Sequence, residues 1–299
     1  MIRRVLLAAL LVAVVALPVG TAPVSTAAAV EQPVDQAALR VPLRVMTYNI
    51  HVGIGEDGRL DLERTAATIR ASGAEVVGIE EADVHWANRS AWADQVAELS
   101  QMLGMKSCFA PIYSFDPPAG SVHRAEFGVA VLSQHPIVSC ENHNITRLST
   151  QVPNPNPAPA PGFAEAVIEA RGARVHVYVT HLDYRSDPSV RQLQVEDTLG
   201  ILDEDEPGAA QMLLGDFNAE SDAAELAPLW ERLTDAWDFT DGVDSGLTFP
   251  AVTPVKRIDY VATSDNITVL TAAVVDSSAS DHRPVVADLV IRRLSRSTS

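Results

Sequence analysis

The sequence predicts an α/β domain in which β-sheets are covered by helices. Short apolar, β-prone runs alternate with helix-patterned segments, and this mixture occurs in both halves of the chain. Polar residues gather at the points where the predicted strands end. Packed layers of sheet and helix are the architecture that such an alternation favours.

The N-terminal residues 1–29 are typical of a secretory signal peptide. Arg3 and Arg4 precede an apolar run from Val5 to Leu17, and small residues then continue to Ala29. A membrane anchor is the alternative, but the run is shorter than the ~20 residues that cross a bilayer. We therefore expect a secreted protein without stable membrane insertion.

The rest of the chain is long enough for one large domain, predicted over residues 43–292. Residues 30–42 are expected to be a flexible leader and residues 293–299 a tail. Loss of the two N-terminal arginines with the signal segment would take the formal net charge from −17 to −19. So acidic a protein is poorly suited to strong binding of duplex nucleic acid, which depends on Lys and Arg.

Alternation and β-branched residues predict the strands, and apolar residues three and four apart predict the helices. In the first half the strands fall at 43–49, 75–79, 106–113, 127–133 and 137–141, and the helices at 61–71, with Asp61 as N-cap, and 90–103, ended by Gly104. In the second half the strands fall at 164–170, 175–180, 211–214, 257–262, 267–275 and 285–291, and the helices at 188–202 and 222–232.

Between these halves, residues 153–162 have proline at five of the first nine positions. They are predicted to form an extended, exposed loop that divides two sheet-forming halves of one domain. The only two cysteines, Cys108 and Cys140, predict either one disulfide in an oxidising compartment or two buried thiols. The sequence does not decide between these, because it does not give the distance between the Cα atoms.

Asp216 and Asn218 directly follow the apolar strand 211–214. Residues two apart in an extended segment point the same way, so both side chains would face one site. An Asp there can accept a proton from water, and an Asn can hold an oxyanion or a water. A turn explains the same residues equally well, since Gly, Asp and Asn are common in turns.

Glu81 follows a buried strand, where an acid is costly unless it is paired or bound to a metal. For a single Glu, a solvated loop position is the better interpretation. Asp259 lies within a β-prone run and also needs a partner, and His282 is available to it. A carboxylate in that position fixes the tautomer of an imidazole. His181 follows another strand, and a lone histidine there is more often structural than catalytic.

Together the strand ends supply an oxygen-rich set of side chains without cysteine. Such a set suits a hard cation such as Mg²⁺, Mn²⁺ or Ca²⁺. Hard cations combined with carboxylates and histidines most often serve phosphoryl chemistry. The set comprises Asn49, Glu81, His181, Asp216, Asn218, Asp259, Asp281 and His282.

These motifs resemble those of the endonuclease/exonuclease/phosphatase superfamily, whose members are similar to deoxyribonuclease I. The resemblance covers the chain from Leu43 to Ile291. It implies a four-layer α/β sandwich, with two mostly antiparallel mixed β-sheets packed face to face and helices outside. The matching segments, in the order of the family, are 46–50, 77–81, 128–133, 180–183, 215–218, 257–260 and 280–282.

The resemblance also implies catalytic roles. Asp216, with Asn218 beside it, would activate or position the attacking water. Asp259 would orient His282. His282 and His181 would contact the phosphate and its developing charge. The reaction would be in-line hydrolysis of a phosphoester without a covalent enzyme intermediate.

By the same resemblance, Asn49, Glu81 and Asp281 would hold Mg²⁺, with Mn²⁺ or Ca²⁺ as alternatives. The chain departs from the family at Glu80, where Gln is common, and this acid would add negative charge near the metal. It also lacks the Asn and Arg that the family often has at and after residues 128–133, which bears on substrate contacts.

The expected function is that of a secreted, divalent-metal-dependent phosphoesterase acting on a phosphodiester or a phosphomonoester. The first alternative is a secreted nuclease similar to deoxyribonuclease I, and the second is a non-catalytic binding protein on the same fold. The expected partner is the phosphoester substrate, strong duplex binding is disfavoured by charge, and a monomer is expected.

Overall fold

The computed structural model of the chain describes residues 40–240 and 245–293. The predicted signal peptide, residues 30–39 of the predicted leader and residues 294–299 lie outside these ranges. Within the described ranges, no helix combines the length and the apolar character that crossing a membrane requires.

Two six-stranded sheets form the centre of the domain. The first contains, in spatial order, β11 (Thr268–Val274), β12 (Val285–Arg292), β1 (Arg40–Asn49), β2 (Val76–Val84), β4 (Ala125–Ser133) and β3 (Lys106–Phe115). The second contains β5 (Ile137–Arg147), β6 (Ala158–Ala170), β7 (Ala173–His181), β8 (Gln211–Asp216), β10 (Asp259–Thr263) and β9 (Thr234–Asp235).

Each sheet has one parallel pair of neighbours, β1 with β2 and β7 with β8. The other neighbouring pairs are antiparallel. The prediction of two mostly antiparallel mixed sheets is therefore confirmed.

Three apolar clusters separate four layers. The first cluster joins the facing sides of the two sheets, with Val45 from one and Val177 from the other. The second packs the outer side of the first sheet against α1 (Leu62–Ser72) and α2 (Gln95–Leu103). The third packs the outer side of the second sheet against α3 (Ser189–Leu202) and α4 (Ala227–Arg232). The predicted four-layer sandwich is confirmed.

The helix predicted over residues 90–103 begins five residues late, at Gln95. Ala91 and Trp92 have positive φ angles of 53° and 57°, which are incompatible with a right-handed helix. The helix begins only where Asp94 accepts a hydrogen bond from the N–H of Ala97.

Of two further helix predictions, the N-cap of α1 is confirmed and the helix over residues 222–232 is not. Asp61 caps α1 as expected, since its side chain accepts from the N–H of Arg64. The helix predicted over 222–232 is instead a 3₁₀ turn at Ala224–Leu226 followed by α4. The α segment has Pro228 in its first turn, where the missing N–H costs nothing.

Several strands are longer than their sequence patterns predict. β1 begins at Arg40, inside the predicted leader, because Val41 pairs with Ile291 and is buried. β2 continues to Val84 and β5 to Arg147. Pairing with a neighbouring strand continues after the alternation of residue types has faded.

The proline-rich segment is only partly the exposed loop predicted over residues 153–162. Its second half begins β6, where Ala158 pairs with Arg147 and Ala160 with Ile145. β6 pairs with β7 only from Ala164 onward, so among the described strands the earlier part of β6 has only β5 as a pairing partner. A proline is tolerated on such a one-sided strand, because no second ladder needs its missing N–H.

The predicted division of the sheets at the proline-rich loop is wrong. β5 precedes that loop but belongs to the second sheet, and β11 and β12 return from the end of the chain to the first. The two cysteines cross-link these sheets: Cys108 in β3 and Cys140 in β5 form a disulfide, with Cα atoms 5.5 Å apart. The disulfide alternative is thereby confirmed.

Candidate active site

Neighbouring strands of the second sheet place three polar residues at the same level. His181, the last residue of β7, lies opposite Asp216 in the parallel ladder. Asp259, the first residue of β10, lies opposite Asp216 in the antiparallel ladder. Asp216 ends β8 between them and is buried, and its Oδ2 lies 3.5 Å from Nε2 of His181.

His282 reaches the same carboxylate from the loop before β12. Its Nδ1 lies 3.0 Å from Oδ2 of Asp259, and its Nε2 lies 3.6 Å from Oδ2 of Asp216. The ring of Phe249 packs against the imidazole, with the ring centres 4.7 Å apart. The structure therefore brings together the Asp259–His282 pair that the sequence predicted, with the second ring nitrogen directed at Asp216.

The electrostatics of this pair favour an imidazolium. Burial lowers the pKa of His282, but the negative charges of Asp259 and Asp216 outweigh burial and raise the pKa to about 10. Burial also raises the pKa of Asp216, and the charge of His282 opposes that rise. His282 is therefore positively charged at neutral pH and compensates two buried carboxylates.

A tight bend allows Asp281 and His282 to serve the same region. The chain bends over residues 279–282. Ser280 Oγ donates to the carbonyl of Asn49 at 2.7 Å and accepts from the N–H of His282 at 3.2 Å. This ties the bend to the end of β1. The carboxylate of Asp281 turns toward His51, whose Nδ1 lies 3.6 Å away.

The first sheet contributes Asn49 and Glu81. Asn49 ends β1, and its Nδ2 donates across the sandwich to Oδ2 of Asp216 at 3.1 Å and to Oε1 of Glu81 at 3.5 Å. The sequence placed Glu81 after its strand, but it lies inside β2. The register with β4 shifts between Ile79 and Ala82, and Glu81 has a φ of 58°. This bulge turns the Glu81 side chain toward the site.

Glu80 is fully buried, and Thr47 Oγ1 donates to its Oε1 at 2.9 Å. Burial, reinforced by the negative charge of Asp259, raises its pKa well above the usual range. This shift disfavours the charged form of Glu80, so burial opposes the negative charge that the sequence predicts at this position.

The side-chain oxygen atoms of Asn49, Glu81 and Asp281 are of the type that binds a hard divalent cation. From the described residues Glu81 accepts only the 3.5 Å bond from Asn49, and Asp281 has Ser280 at 3.3 Å and His51 at 3.6 Å. Neither carboxylate hydrogen-bonds to an arginine or lysine within the described parts of the chain. Under-satisfied carboxylates beside an amide are the ligands that Mg²⁺ and its relatives use. Asp281 and Glu81 are not in direct contact with each other in the described residues.

Asn218 was expected to direct its side chain into the site beside Asp216, but it contacts Asp216 through its backbone. Its backbone N–H donates to Oδ1 of Asp216 at 2.8 Å, and its side chain donates to the carbonyl of Leu182 at 3.1 Å. Asn218 has a φ of 52°, a conformation that Asn tolerates better than most residues. It fixes the Asp216 carboxylate through its backbone.

A cleft of about 280 Å³ opens beside His181 and Glu81. Its aromatic wall was not predicted from the sequence, and includes Trp86, Tyr113 and Phe127. Trp86 lies 6.0 Å from each of the other two rings, measured between ring centres. These residues belong to strands and a loop that are far apart in the chain, so no local spacing indicates their convergence.

Arg147, another residue that sequence reasoning missed, lines the same cleft. Its guanidinium donates to the backbone carbonyls of Pro161, Gly162 and His181. Burial lowers its pKa to about 10, so it is charged at neutral pH. Arg147 thus brings a positive charge to the wall next to the imidazole of His181.

Comparison with known proteins agrees with this fold. The model of the endonuclease/exonuclease/phosphatase family matches residues 46–282. No curated protein matches the chain in sequence. Among solved structures, an endonuclease/exonuclease/phosphatase from Beutenbergia cavernae DSM 12333 is similar with a TM-score of 0.65 and 24% identity, covering 84% of this chain and 72% of that one.

Two further solved structures share the fold at lower identity. The mannosyl-6-phosphatase of Bacteroides thetaiotaomicron VPI-5482 has a TM-score of 0.62 and 17% identity, covering 83% of this chain and 100% of that one. The catalytic domain of human Nocturnin has a TM-score of 0.58 and 19% identity, covering 83% and 93%. Because the family model spans most of the chain, from β1 to His282, the chain belongs to the endonuclease/exonuclease/phosphatase family.

Proposed function

We propose that the protein hydrolyses a phosphoester, either a diester or a monoester, by in-line attack of water. The observation that carries this proposal is the buried Asp216 carboxylate, which lies 3.5 Å from His181 and 3.6 Å from His282. A carboxylate between two imidazoles can take a proton from water while the imidazoles face a phosphate.

The roles of the residues follow from their contacts. Asp216 aims the attacking water and receives its proton, with its own orientation fixed by the N–H groups of Asn218 and the Asn49 amide. The His282 imidazolium neutralises charge that develops on the phosphoryl oxygens, and Asp259 holds its ring. His181 contributes a second imidazole on the cleft side.

Asn49, Glu81 and Asp281 would hold a divalent cation, for which Mg²⁺ is proposed and Mn²⁺ or Ca²⁺ are the alternatives. When bound, such an ion withdraws charge from the phosphoryl oxygens and helps to orient the phosphate. The Asn49 amide links Glu81 to Asp216, which supports a cation site held next to the water-activating acid.

The cleft supports a small phosphoester with an apolar or aromatic group rather than a duplex. Its volume of about 280 Å³ and its aromatic wall suit an organic group of modest size. The formal net charge of −17 opposes strong duplex binding. A nuclease remains the second candidate function, and a protein that binds phosphoesters without turnover is the third.

Export of the protein is also proposed. It is supported by the apolar segment near the N-terminus and by the Cys108–Cys140 disulfide, since disulfides persist in oxidising compartments. N-terminal sequencing of protein recovered from the culture medium tests this, with a start immediately after Ala29 expected. Recovery of the intact N-terminus from the cytoplasm alone would contradict it.

A panel of phosphoesters tests the proposed activity. Purified protein is assayed with bis-p-nitrophenyl phosphate, p-nitrophenyl phosphate, plasmid DNA and a phospholipid, each with Mg²⁺, Mn²⁺, Ca²⁺ or EDTA. We expect metal-dependent turnover of a small ester and weak or absent cleavage of the plasmid. Dominant cleavage of the plasmid would favour the nuclease function. Absence of turnover with every ester would contradict the proposal that the protein is an enzyme.

A further inference from the structure

A second cluster of histidines and carboxylates lies on the outer side of the second sheet, away from the catalytic residues. His143 in β5, Glu165 in β6 and His176 in β7 point outward together, and Asp205 joins them from the loop after α3. His176 precedes His181 by five residues in β7, which separates the two sites by roughly 16 Å at 3.3 Å per residue. The proposed reaction does not use this cluster.

Two carboxylate oxygens converge on one ring nitrogen in this cluster. Nδ1 of His176 lies 2.8 Å from Oε1 of Glu165 and 2.8 Å from Oδ1 of Asp205. A ring nitrogen carries at most one hydrogen, which cannot point well at both acceptors. The three atoms all lie within 4.8 Å of one another, which is the arrangement of ligands around a single ion.

The other oxygen of each carboxylate is held by a donor. Nε2 of His143 lies 2.7 Å from Oε2 of Glu165. Oδ2 of Asp205 accepts from the hydroxyl of Tyr178 and from Nε2 of Gln211, each at 2.7 Å. Tyr178 and Gln211 are themselves buried. Donors of this kind orient the ligands of metal sites, and here they leave Oε1 and Oδ1 directed at His176.

The local charge favours a cation. Glu141 lies within ligand distance of His143 and Glu165, so further negative charge borders the cluster. Arg232 is the guanidinium in contact with this region, but it is bound to Oε1 of Gln211 at 2.6 Å and lies 3.5 Å from Asp203. Carboxylate charge therefore exceeds the positive charge that two imidazoles can supply.

We propose that Glu165, His176 and Asp205 bind one divalent transition-metal ion of the Zn²⁺ class, oriented by His143, Tyr178 and Gln211. Imidazole nitrogen combined with carboxylate oxygen suits zinc better than Mg²⁺ or Ca²⁺. Zinc bonds of about 2.1 Å put tetrahedral ligand atoms roughly 3.4 Å apart, so the observed 2.8 Å contacts need to open by only about 0.6 Å.

The ion would have a structural role. It would fasten the loop that follows α3 to strands β6 and β7. With three protein ligands, one position of a tetrahedral ion is left for water or another ligand. The side chains of Glu165 and Asp205 are each 12% exposed, and that of His176 is 18% exposed, so an ion can enter from solvent.

Equilibrium dialysis of the full chain with Zn²⁺ tests the proposal, with metal content measured by mass spectrometry. The protein is first stripped with EDTA, and Mg²⁺ is kept in large excess to occupy the catalytic acids. We compare the wild type with His176→Gln and with the control His135→Gln. His135 serves as the matched control because it also pairs with a carboxylate, but with only one: its Nε2 lies 3.0 Å from Glu75.

We expect the wild type and His135→Gln to bind one zinc ion more per chain than His176→Gln. His143→Gln should keep the ion but bind it about tenfold more weakly, because an orienting partner is lost. Circular dichroism checks folding, and Asp205→Asn replaces His176→Gln if the latter unfolds. Equal zinc content in the wild type and in a folded His176→Gln or Asp205→Asn variant would overturn the proposal. The cluster would then be a hydrogen-bond network that binds no metal.

Discussion

At the scale of single residues, the active site depends on how Asp259 holds His282. Asp259 contacts only one ring nitrogen, with oxygens at 3.0 and 3.2 Å from Nδ1. The other nitrogen remains free to face Asp216 or a phosphate. In the proposed reaction, Asp259 is therefore a positioning residue that acts through His282.

Replacement of Asp259 by Asn is the residue-scale prediction. We expect kcat to fall by about ten-thousandfold, since loss of the carboxylate behind a catalytic histidine is costly. The raised pKa of His282 should also fall, because Asp259 is the largest cause that raises it. In the proposed reaction the charged imidazole is the active form. As the pH is raised, the variant should therefore lose activity at a lower pH than the wild type does.

The rate profile between pH 6 and 10 measures this shift, with Glu75→Gln as the control. Glu75 pairs with His135 away from the site, so that variant should keep the wild-type profile. A loss below tenfold with an unchanged alkaline limb would show that Asp259 does not position His282.

The Asp259–His282 pair could be predicted from the sequence, because an acid inside a β-prone run needs a partner. The placement of Glu81 could not. It depends on a bulge with a φ of 58° that no residue type in the segment signals. The raised pKa of Glu80 is likewise a product of burial, which a strand pattern does not reveal. Arg147 is held at the cleft by hydrogen bonds to carbonyls of other strands, and these contacts cannot be predicted from the residues around Arg147 in the sequence.

At the scale of elements, the disulfide joins edge strand β3 of one sheet to edge strand β5 of the other. The two cysteines are 32 residues apart in sequence. Closing a loop of this length in the unfolded chain stabilises the native state by about 3–4 kcal/mol. The double variant Cys108→Ala/Cys140→Ala should lose free energy of unfolding of that order.

Urea unfolding of the oxidised wild type and the double variant gives the difference, with the reduced wild type as a control that keeps both side chains. The reduced protein should resemble the variant. A loss below about 1 kcal/mol in both would show that the cross-link does not stabilise the pairing of the sheets.

The proline-rich connection between β5 and β6 gives a second prediction at this scale. Residues 150–157 are mostly exposed, whereas Ala158, Pro159 and Ala160 are paired with β5. Among the described residues, limited proteolysis with proteinase K should therefore cut first within 150–157. Mass spectrometry of the first fragments locates the cut, and early cleavage within 158–162 would contradict the pairing of that segment.

At the scale of the whole molecule, the fold class could be predicted but the routing of the chain could not. The alternation of strands and helices indicates packed layers, and the order of motifs indicates the family. The assignment of β5 to the second sheet depends on its pairing with β6 across the proline-rich loop. The return of β12 to β1 likewise depends on contacts between the two ends of the described chain.

This routing creates the active site. β1 and β2 bring Asn49 and Glu81 from one sheet, and β7, β8 and β10 bring His181, Asp216 and Asp259 from the other. The sandwich closes at this edge through the bond between Asn49 and Asp216 at 3.1 Å. The candidate active site is therefore built from both sheets together.

The most direct test compares the steady-state rates of the wild type, Asp216→Asn and His282→Ala on the best ester of the panel, with Mg²⁺ and with EDTA. We predict that each variant loses several orders of magnitude in kcat/KM while circular dichroism stays unchanged, and that EDTA abolishes the wild-type rate. A loss below about tenfold in either folded variant, roughly 1.4 kcal/mol in the barrier, would contradict the assignment of this site.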